Sequence, residues 1–262
     1  MSERDATMND TTLNGRSRTP VLVAGLVALT MAAALLWFFV IRDTSAADVN
    51  TADAAAARQA SLDEANAGSF DGVEGVWTVD TTFGTFDEAC LSDVCDATFA
   101  GFRIDEELAS FGDKTVIGRS PAVSGSVEIS GTSISSANIV VDMTGILTDS
   151  GGRTAAIRSQ SIETAAFPEA SFVLNEPIDI GPLPGDGEQV TVQATGDFTI
   201  HGVTKTETLD LTAEINGGVI VVFGQLGPVL LDDYGIAKPS AAVVLSVEDN
   251  ALIEFQLFLT KR

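Results

Sequence analysis

The chain has 262 residues, of which 37 are Asp or Glu, 14 are Lys or Arg and one is His, for a net charge of −23 at neutral pH. An acid excess of that size repels phosphate backbones, so no nucleic-acid partner is expected. Hydrophobic residues make up 45 %, which excludes a disordered chain, and one histidine with two cysteines leaves little material for transition-metal sites or catalytic triads.

The first feature along the chain is an apolar run, Val21–Ile41, with the sequence VLVAGLVALTMAAALLWFFVI. It carries no charge and is interrupted only by Thr30. At ~1.5 Å per residue it is long enough to cross ~30 Å of hydrocarbon. Arg4, Arg16 and Arg18 precede it, and Arg42, Asp43 and Asp48 follow. The excess of positive charge before the run predicts a single-pass membrane anchor with residues 1–20 as a cytoplasmic tail and everything after Arg42 outside. Trp37 suits an interfacial position near the end of the span. The competing reading is a cleaved signal peptide, whose apolar region is normally ~7–15 residues; Ser45, Ala46 and Ala47 supply the small residues that late cleavage would need.

Four of the basic residues and three of the acidic ones precede Asp43, so the remainder carries a net charge of −24. That acidity keeps the outer part soluble and off anionic headgroups, and adaptation to high external salt is a second explanation. Residues 42–72 are alanine-rich without an apolar stripe and read as a tether, with a folded domain over 73–262.

Within that domain the hydrophobic pattern has a period of two. Val123, Gly125, Val127 and Ile129 alternate with polar residues, as do Ile139, Val141 and Met143. The pattern continues with Val190, Val192, Ala194, Gly196, Phe198 and Ile200, with Leu209, Leu211, Ala213 and Ile215, and with Ile253, Phe255, Leu257 and Leu259. One apolar and one polar face per run is the mark of antiparallel sheet with one side in water. Gly131, His201-Gly202, Asn216-Gly217-Gly218 and Asp249-Asn250 punctuate the runs as tight turns. The expected fold class is all-β: an extended eight-stranded antiparallel barrel with one or two short helices, over 105–111 and 153–166, preceded by the transmembrane helix.

The chemistry-bearing residues are few. His201 sits in an expected turn with no marked nucleophile or orienting carboxylate beside it. There is no P-loop and no GxGxxG, and no metal site or catalytic residue is expected. Carboxylates fall mostly on expected outward faces or in loops, where solvated charge is the default. Cys90 and Cys95, the only cysteines, most simply form one disulfide in an extracytoplasmic domain; a redox-active pair would more often be spaced C-x2-C.

Four stretches resemble, in order, the motifs of the YceI-like (polyisoprenoid-binding, lipocalin-like) family in a membrane-anchored form. Val76-Trp77-Thr78-Val79-Asp80 is similar to its opening W-x-[IV]-D. Arg153, Ile157-Arg158-Ser159, Phe167-Pro168 and Phe172 are similar to its R-x-x-x-L-R-S … [FY]-P-x-x-x-F block, although Arg153-Thr154 and Ser161-Ile162-Glu163 depart from it. Gly196–Leu211, GDFTIHGVTKTETLDL, is its most recognisable segment, and Asp233-Tyr234-Gly235-Ile236 is similar to its late D-[FY]-G-[IV].

The resemblance implies a barrel that encloses an isoprenoid lipid or isoprenoid quinone, with no other cofactor and no enzymatic activity. The expected binding residues are the inward positions Val123, Gly125, Val127, Ile129, Ile139, Val141, Met143, Phe167, Phe172, Val192, Ala194, Phe198, Ile200, Leu209, Leu211, Phe255 and Leu257, with Gly125 and Gly196 leaving room. A filled core without a cavity is the alternative for the same residues. The expected function is a membrane-tethered extracytoplasmic carrier, store or sequestering protein. An envelope scaffold with an acidic interaction surface is the alternative, and a lipid hydrolase or isomerase is the weakest reading. The sequence leaves the oligomeric state open, a dimer included.

Overall fold

The computed structural model describes residues 72–92, 94–108, 112–239 and 244–261. The expected cytoplasmic tail, the span Val21–Ile41 and the tether up to residue 71 lie outside them. Among the described residues no helix is long and apolar enough to cross a membrane.

In chain order the strands are β1 (Gly75–Asp80), β2 (Phe99–Leu108), β3 (Gly112–Ser120), β4 (Val123–Ser130), β5 (Ser133–Asp142), β6 (Leu147–Thr148), β7 (Glu169–Leu174), β8 (Ile178–Asp179), β9 (Gln189–Ile200), β10 (Val203–Asn216), β11 (Val219–Val229), β12 (Val244–Val247) and β13 (Ala251–Lys261). Eight of them, β1-β4-β5-β7-β9-β10-β11-β13, lie side by side in that order. The circle closes where β13 meets β1, with Trp77 opposite Lys261 and Asp80 opposite Phe258. Higher on β13, Leu252–Gln256 pair instead with β2, which continues the sheet through β3 to β6.

The β9–β10 hairpin shows why these residues form strands. Its outer face is a ladder of hydroxyl pairs, Thr191–Thr212 at 3.2 Å, Thr195–Thr208 at 2.9 Å and Thr199–Thr204 at 2.8 Å, with Gln193 Nε2 donating to Asp210 at 2.9 Å. β-branched side chains fit the pleat, and paired hydroxyls on one face stabilise the register. The turn is His201-Gly202, both with positive φ (53° and 72°), as a two-residue hairpin with the right twist requires.

Two helix expectations are corrected. Residues 105–108 belong to β2, and 109–111 lie outside the described residues. Glu106-Glu107-Leu108 favours helix locally, but pairing with Gly112–Lys114 and the Thr115 hydroxyl bond to Asp105 (2.6 Å) override that weak preference. The helix expected over 153–166 is α1, only Gly151–Ala156, followed by a π-helical turn, Ile157–Ser161, closed by Ile162 N–H on Ile157 C=O at 2.9 Å. Glu163 then takes φ = 50°, which ends the helical path.

The outer face of β13 is not in water, contrary to expectation. Segment 81–98 lies over it: Phe83 stacks on Phe258 (ring centroids 5.5 Å apart), and the Cys90–Cys95 disulfide packs with Ala97 and Phe99. The cover buries Glu254 and Gln256. Gln256 Nε2 donates to the carbonyls of Cys95 (3.0 Å) and Ala97 (2.9 Å). Glu254 accepts from Arg103 Nε at 2.6 Å and Arg119 Nε at 2.8 Å, so the buried carboxylate meets two guanidinium groups. Removing Glu254 would take the shared carboxylate from both buried guanidinium groups and leave positive charge uncompensated in the interior.

Candidate functional site

The inward side chains of the barrel do not fill it. A cavity of about 130 Å³ is lined by β1-side Val73 and by inward residues of β4, β5, β7, β9, β10, β11 and β13. It is close in size to a void of ~150 Å³ that takes one benzene-sized guest, and it is walled almost wholly by hydrocarbon, the kind of void that stays dry or takes an apolar guest. A middle cavity of about 80 Å³ shares Ile139, Phe172, Leu209, Phe255 and Leu257 with the first. A third, also about 80 Å³, shares Ile253 with the middle one. On β9 alone the lining runs from Val190 in the first cavity to Ile200 in the third, roughly 33 Å along a strand. The three voids form a row that suits a long thin ligand.

Of the expected binding residues, Val127, Ile129, Ile139, Phe172, Val192, Ala194, Leu209, Leu211, Phe255 and Leu257 line the first cavity. Val141 and Phe198 join at the middle one and Ile200 at the third. Val123 and Met143 are buried in the same core but line none of these voids; Met143 falls after the end of β5, in a 3-10 turn, Met143–Gly145, rather than on the strand.

Two expected residues are elsewhere. Phe167 packs over Gly202 and against the His201 ring (centroids 4.3 Å apart), outside the cavities. Gly125 does not make room. Its φ is +138°, and a Cβ there would overlap the Asn138 carbonyl oxygen and lie 2.9 Å from Ile139 Cα. This glycine lets two backbones approach, and any side chain at 125 would be strained. The space at Gly196 is likewise taken, by the Phe172 ring, with Cζ 2.5 Å from a Cβ placed there.

The third cavity was not foreseen. Its walls include Phe102 and Ile104 of β2, a stretch whose end reads locally as helix, together with Ile157, Ile162, Leu231 and Ile236. It is also the polar end of the row. Glu106, Arg153 and Ser161 line it. Arg153 Nη2 donates to Glu106 at 2.8 Å, Arg153 Nη1 donates to Asp149, and Lys114 Nζ donates to Asp149 at 2.9 Å. Burial would raise the Asp149 carboxyl, but Arg153 and Lys114 outweigh it and hold the group below the usual carboxylate range. The same two carboxylates outweigh the burial of Arg153 and hold its guanidinium above its usual range. The Ser161 hydroxyl is buried and, among the described residues, meets no hydrogen-bond partner.

His201 is spoken for at both ring nitrogens: Nδ1 is 3.1 Å from the Tyr234 carbonyl and Nε2 3.1 Å from a Glu163 carboxylate oxygen. Among the described residues it meets no hydroxyl or thiol, and it serves as the turn residue expected. Tyr234 is buried, with its hydroxyl donating to Glu207 at 2.8 Å. Burial, then Glu207, pushes its phenol well above the usual tyrosine range, so it stays protonated. Among the described residues no cluster of His, Cys, Asp or Glu could hold a metal ion.

A model of the YceI-like domain matches residues 50–259. The chain belongs to the YceI-like family. No curated protein matches it in sequence. Among solved structures, a polyisoprenoid-binding domain from Saccharophagus degradans, implicated in plant cell wall breakdown, is similar at 17 % identity and a TM-score of 0.52, over 72 % of this chain and 100 % of that one. BcnA of Burkholderia cenocepacia is similar at 18 % identity and a TM-score of 0.46, over 66 % and 99 %. The YceI protein of Campylobacter jejuni is similar at 16 % identity and a TM-score of 0.43, over 55 % and 84 %.

Three of the four family-like stretches converge on the third cavity. Arg153 and Ile157 come from one, Ile200 from the second and Ile236 from the last. Arg158 fixes the helical turn beneath them, donating from Nε (3.0 Å) and Nη2 (2.6 Å) to the Ile146 carbonyl. Lys205 pairs with Asp233 at 2.7 Å and ties the β9–β10 hairpin to the turn Leu231–Tyr234. The opening tryptophan, Trp77, is buried in the core and donates to the Val73 carbonyl at 2.8 Å.

Proposed function

We propose that this protein is a membrane-tethered extracytoplasmic binding protein that holds an isoprenoid lipid or isoprenoid quinone inside its barrel as a carrier, store or sequestering protein. The observation that carries this reading is the row of hydrocarbon-walled voids from Val190 to Ile200. Each buried CH2 contributes ~0.8 kcal/mol, so a long prenyl chain needs few polar contacts to be held there. The family membership and the polyisoprenoid-binding domain of similar fold support the choice of an isoprenoid over a fatty acyl chain. The tether is the uncharged run Val21–Ile41, with the basic flank before it. The barrel acts by binding rather than by chemistry: His201, the single histidine, is committed to structural hydrogen bonds.

The test is lipid extraction of the purified full-length protein followed by mass spectrometry, for wild type and Ala194→Leu. Ala194 is buried yet lines the first cavity, so leucine there occupies guest space without adding charge. A carrier yields a prenyl lipid or quinone from the wild type, and the variant melts normally but carries less. A protein that never takes up a prenyl lipid, with a variant destabilised by ~1–3 kcal/mol through overpacking, would reject the carrier and leave the scaffold reading. Protease added to intact spheroplasts digests the domain after Arg42 if the tether runs as proposed; full protection would reject that topology.

A further inference from the structure

We propose that the third cavity selects an uncharged oxygen headgroup, a carbonyl or a hydroxyl, which the Ser161 hydroxyl recognises, and that it rejects a prenyl diphosphate. This inference rests on the reading of the barrel as an isoprenoid carrier and concerns which end group enters.

Ser161 is at the end of the π-helical turn Ile157–Ser161, which turns it towards the barrel. Among the described residues its oxygen is buried without a hydrogen-bond partner, in a wall that carries Phe102, Ile104, Ile157 and Ile162 beside the Glu106–Arg153 pair. A hydroxyl kept out of water with nothing to bond is unfavourable, and a guest oxygen entering the void that Ser161 lines would satisfy it. A hydroxyl is both donor and acceptor, so it can serve a quinone carbonyl or a prenyl alcohol.

The charges beside it do not suit an anion. Arg153, the cation lining this void, spends Nη2 on Glu106 and Nη1 on Asp149, and Lys114 is also on Asp149. Two cations and two carboxylates balance. On the other side of Glu106 a groove carries Asp105, Glu107, Asp113 and Glu248 as well. A diphosphate placed here would bring several negative charges into a neutral, mostly apolar chamber backed by carboxylates, with the cations already committed. Binding it would require breaking the Arg153 pairs. A neutral oxygen requires no such rearrangement.

The experiment measures binding of four probes of equal chain length to the full-length protein in detergent: a tetraprenyl quinone, the tetraprenyl alcohol, the tetraprenyl diphosphate and the headless tetraprenyl hydrocarbon. Wild type and Ser161→Ala are compared. The expected result is that quinone or alcohol binds at least tenfold more tightly than the diphosphate. Ser161→Ala should weaken that neutral ligand by about five- to tenfold, the size of one hydrogen bond, and leave the hydrocarbon unchanged. Loss for the quinone alone identifies a carbonyl headgroup, and loss for the alcohol alone identifies a hydroxyl. Equal binding of the diphosphate, or no effect of Ser161→Ala on either neutral ligand while the hydrocarbon still binds, overturns the headgroup assignment and leaves the carrier intact. Failure of all four probes to bind rejects the carrier reading itself. Lysine at position 153, from Arg153→Lys, keeps the charge but not the two-armed pairing, and a gain in diphosphate binding there supports the charge argument.

Discussion

Gly224 and Phe255 face each other across β11 and β13, and the ring of Phe255 occupies the space that a side chain at 224 would need. A Cβ there would overlap Phe255 Cζ, lie 2.6 Å from Cε1 and come within 2.7 Å of Leu211 Cδ2. All three are side-chain atoms, so the backbone permits alanine but the ring does not. The ring lines the first and middle voids, so open space lies beside it there. Gly224→Ala should therefore turn Phe255 into the voids it lines and destabilise by about 1–2 kcal/mol, and in the proposed carrier it should lower lipid content. Phe255→Leu in the same chain removes the conflict. A double-mutant cycle from thermal or denaturant melts should show the pair costing at least ~0.5 kcal/mol less than the two single changes added together. Strict additivity would mean that the ring does not depend on this glycine.

Much of the barrel was legible in the alternation of the sequence, because register is a period-two property and one face of each strand had to be apolar. The hairpin turn at His201-Gly202 was legible for the same reason: little else could separate two such well-patterned runs. The core positions Val127, Ile139, Ala194 and Leu257 followed directly. The rest depended on what packs over the sheet from outside. Glu254 and Gln256 alternate as solvent-facing residues should, and nothing local reveals that segment 81–98 covers them or that Arg103 and Arg119, far away in sequence, meet the carboxylate. The third cavity was hidden because Glu106-Glu107-Leu108 reads locally as helix. Gly125 and Gly196 were misread for a simpler reason. A glycine in an apolar run signals either open space or close approach, and only the neighbouring strand decides; here the Asn138 carbonyl and the Phe172 ring do.

The disulfide joins cysteines five positions apart, Cys90 and Cys95, and its loop does more than its length suggests. The Cys90 carbonyl accepts from Arg119 Nη1 at 2.6 Å, and Arg119 lies over the Phe99 ring at 4.1 Å. Loop closure this short stabilises by about 2 kcal/mol on chain-entropy grounds. Cys90→Ser with Cys95→Ser should lower stability by that amount or more, since the cover over Glu254 is loosened too. Denaturant melts of wild type and variant in the absence of reductant test this. Thiol labelling of unfolded, unreduced protein should find no free sulfhydryl. A variant as stable as wild type would mean that packing of Phe99 and Ala97 alone holds the cover.

The ion-pair cluster beside the third cavity predicts a pH dependence of definite sign. Asp149 has a carboxyl held below its ordinary value by Arg153 and Lys114 despite burial. Unfolded, it would titrate near ~3.9. A group whose folded value is depressed contributes stability above the unfolded value, and that contribution is lost as pH falls through the folded one. The groups that face it are Lys114 from β3 and Arg153 from α1, with Glu106 of β2 bound to the other arm of Arg153. Asp149→Asn keeps the shape but removes the charge, so it should cost about 1 kcal/mol at pH 7. That difference should hold down to roughly pH 5 and shrink below pH 4, where the unfolded wild type takes up the proton first and the folded protein follows at lower pH. Denaturant midpoints of both proteins between pH 3 and 7 measure it. A gap that stays constant to pH 3 would show that Asp149 acts through packing rather than through its charge, and would remove one of the two carboxylates that balance Arg153 and Lys114 beside the third cavity.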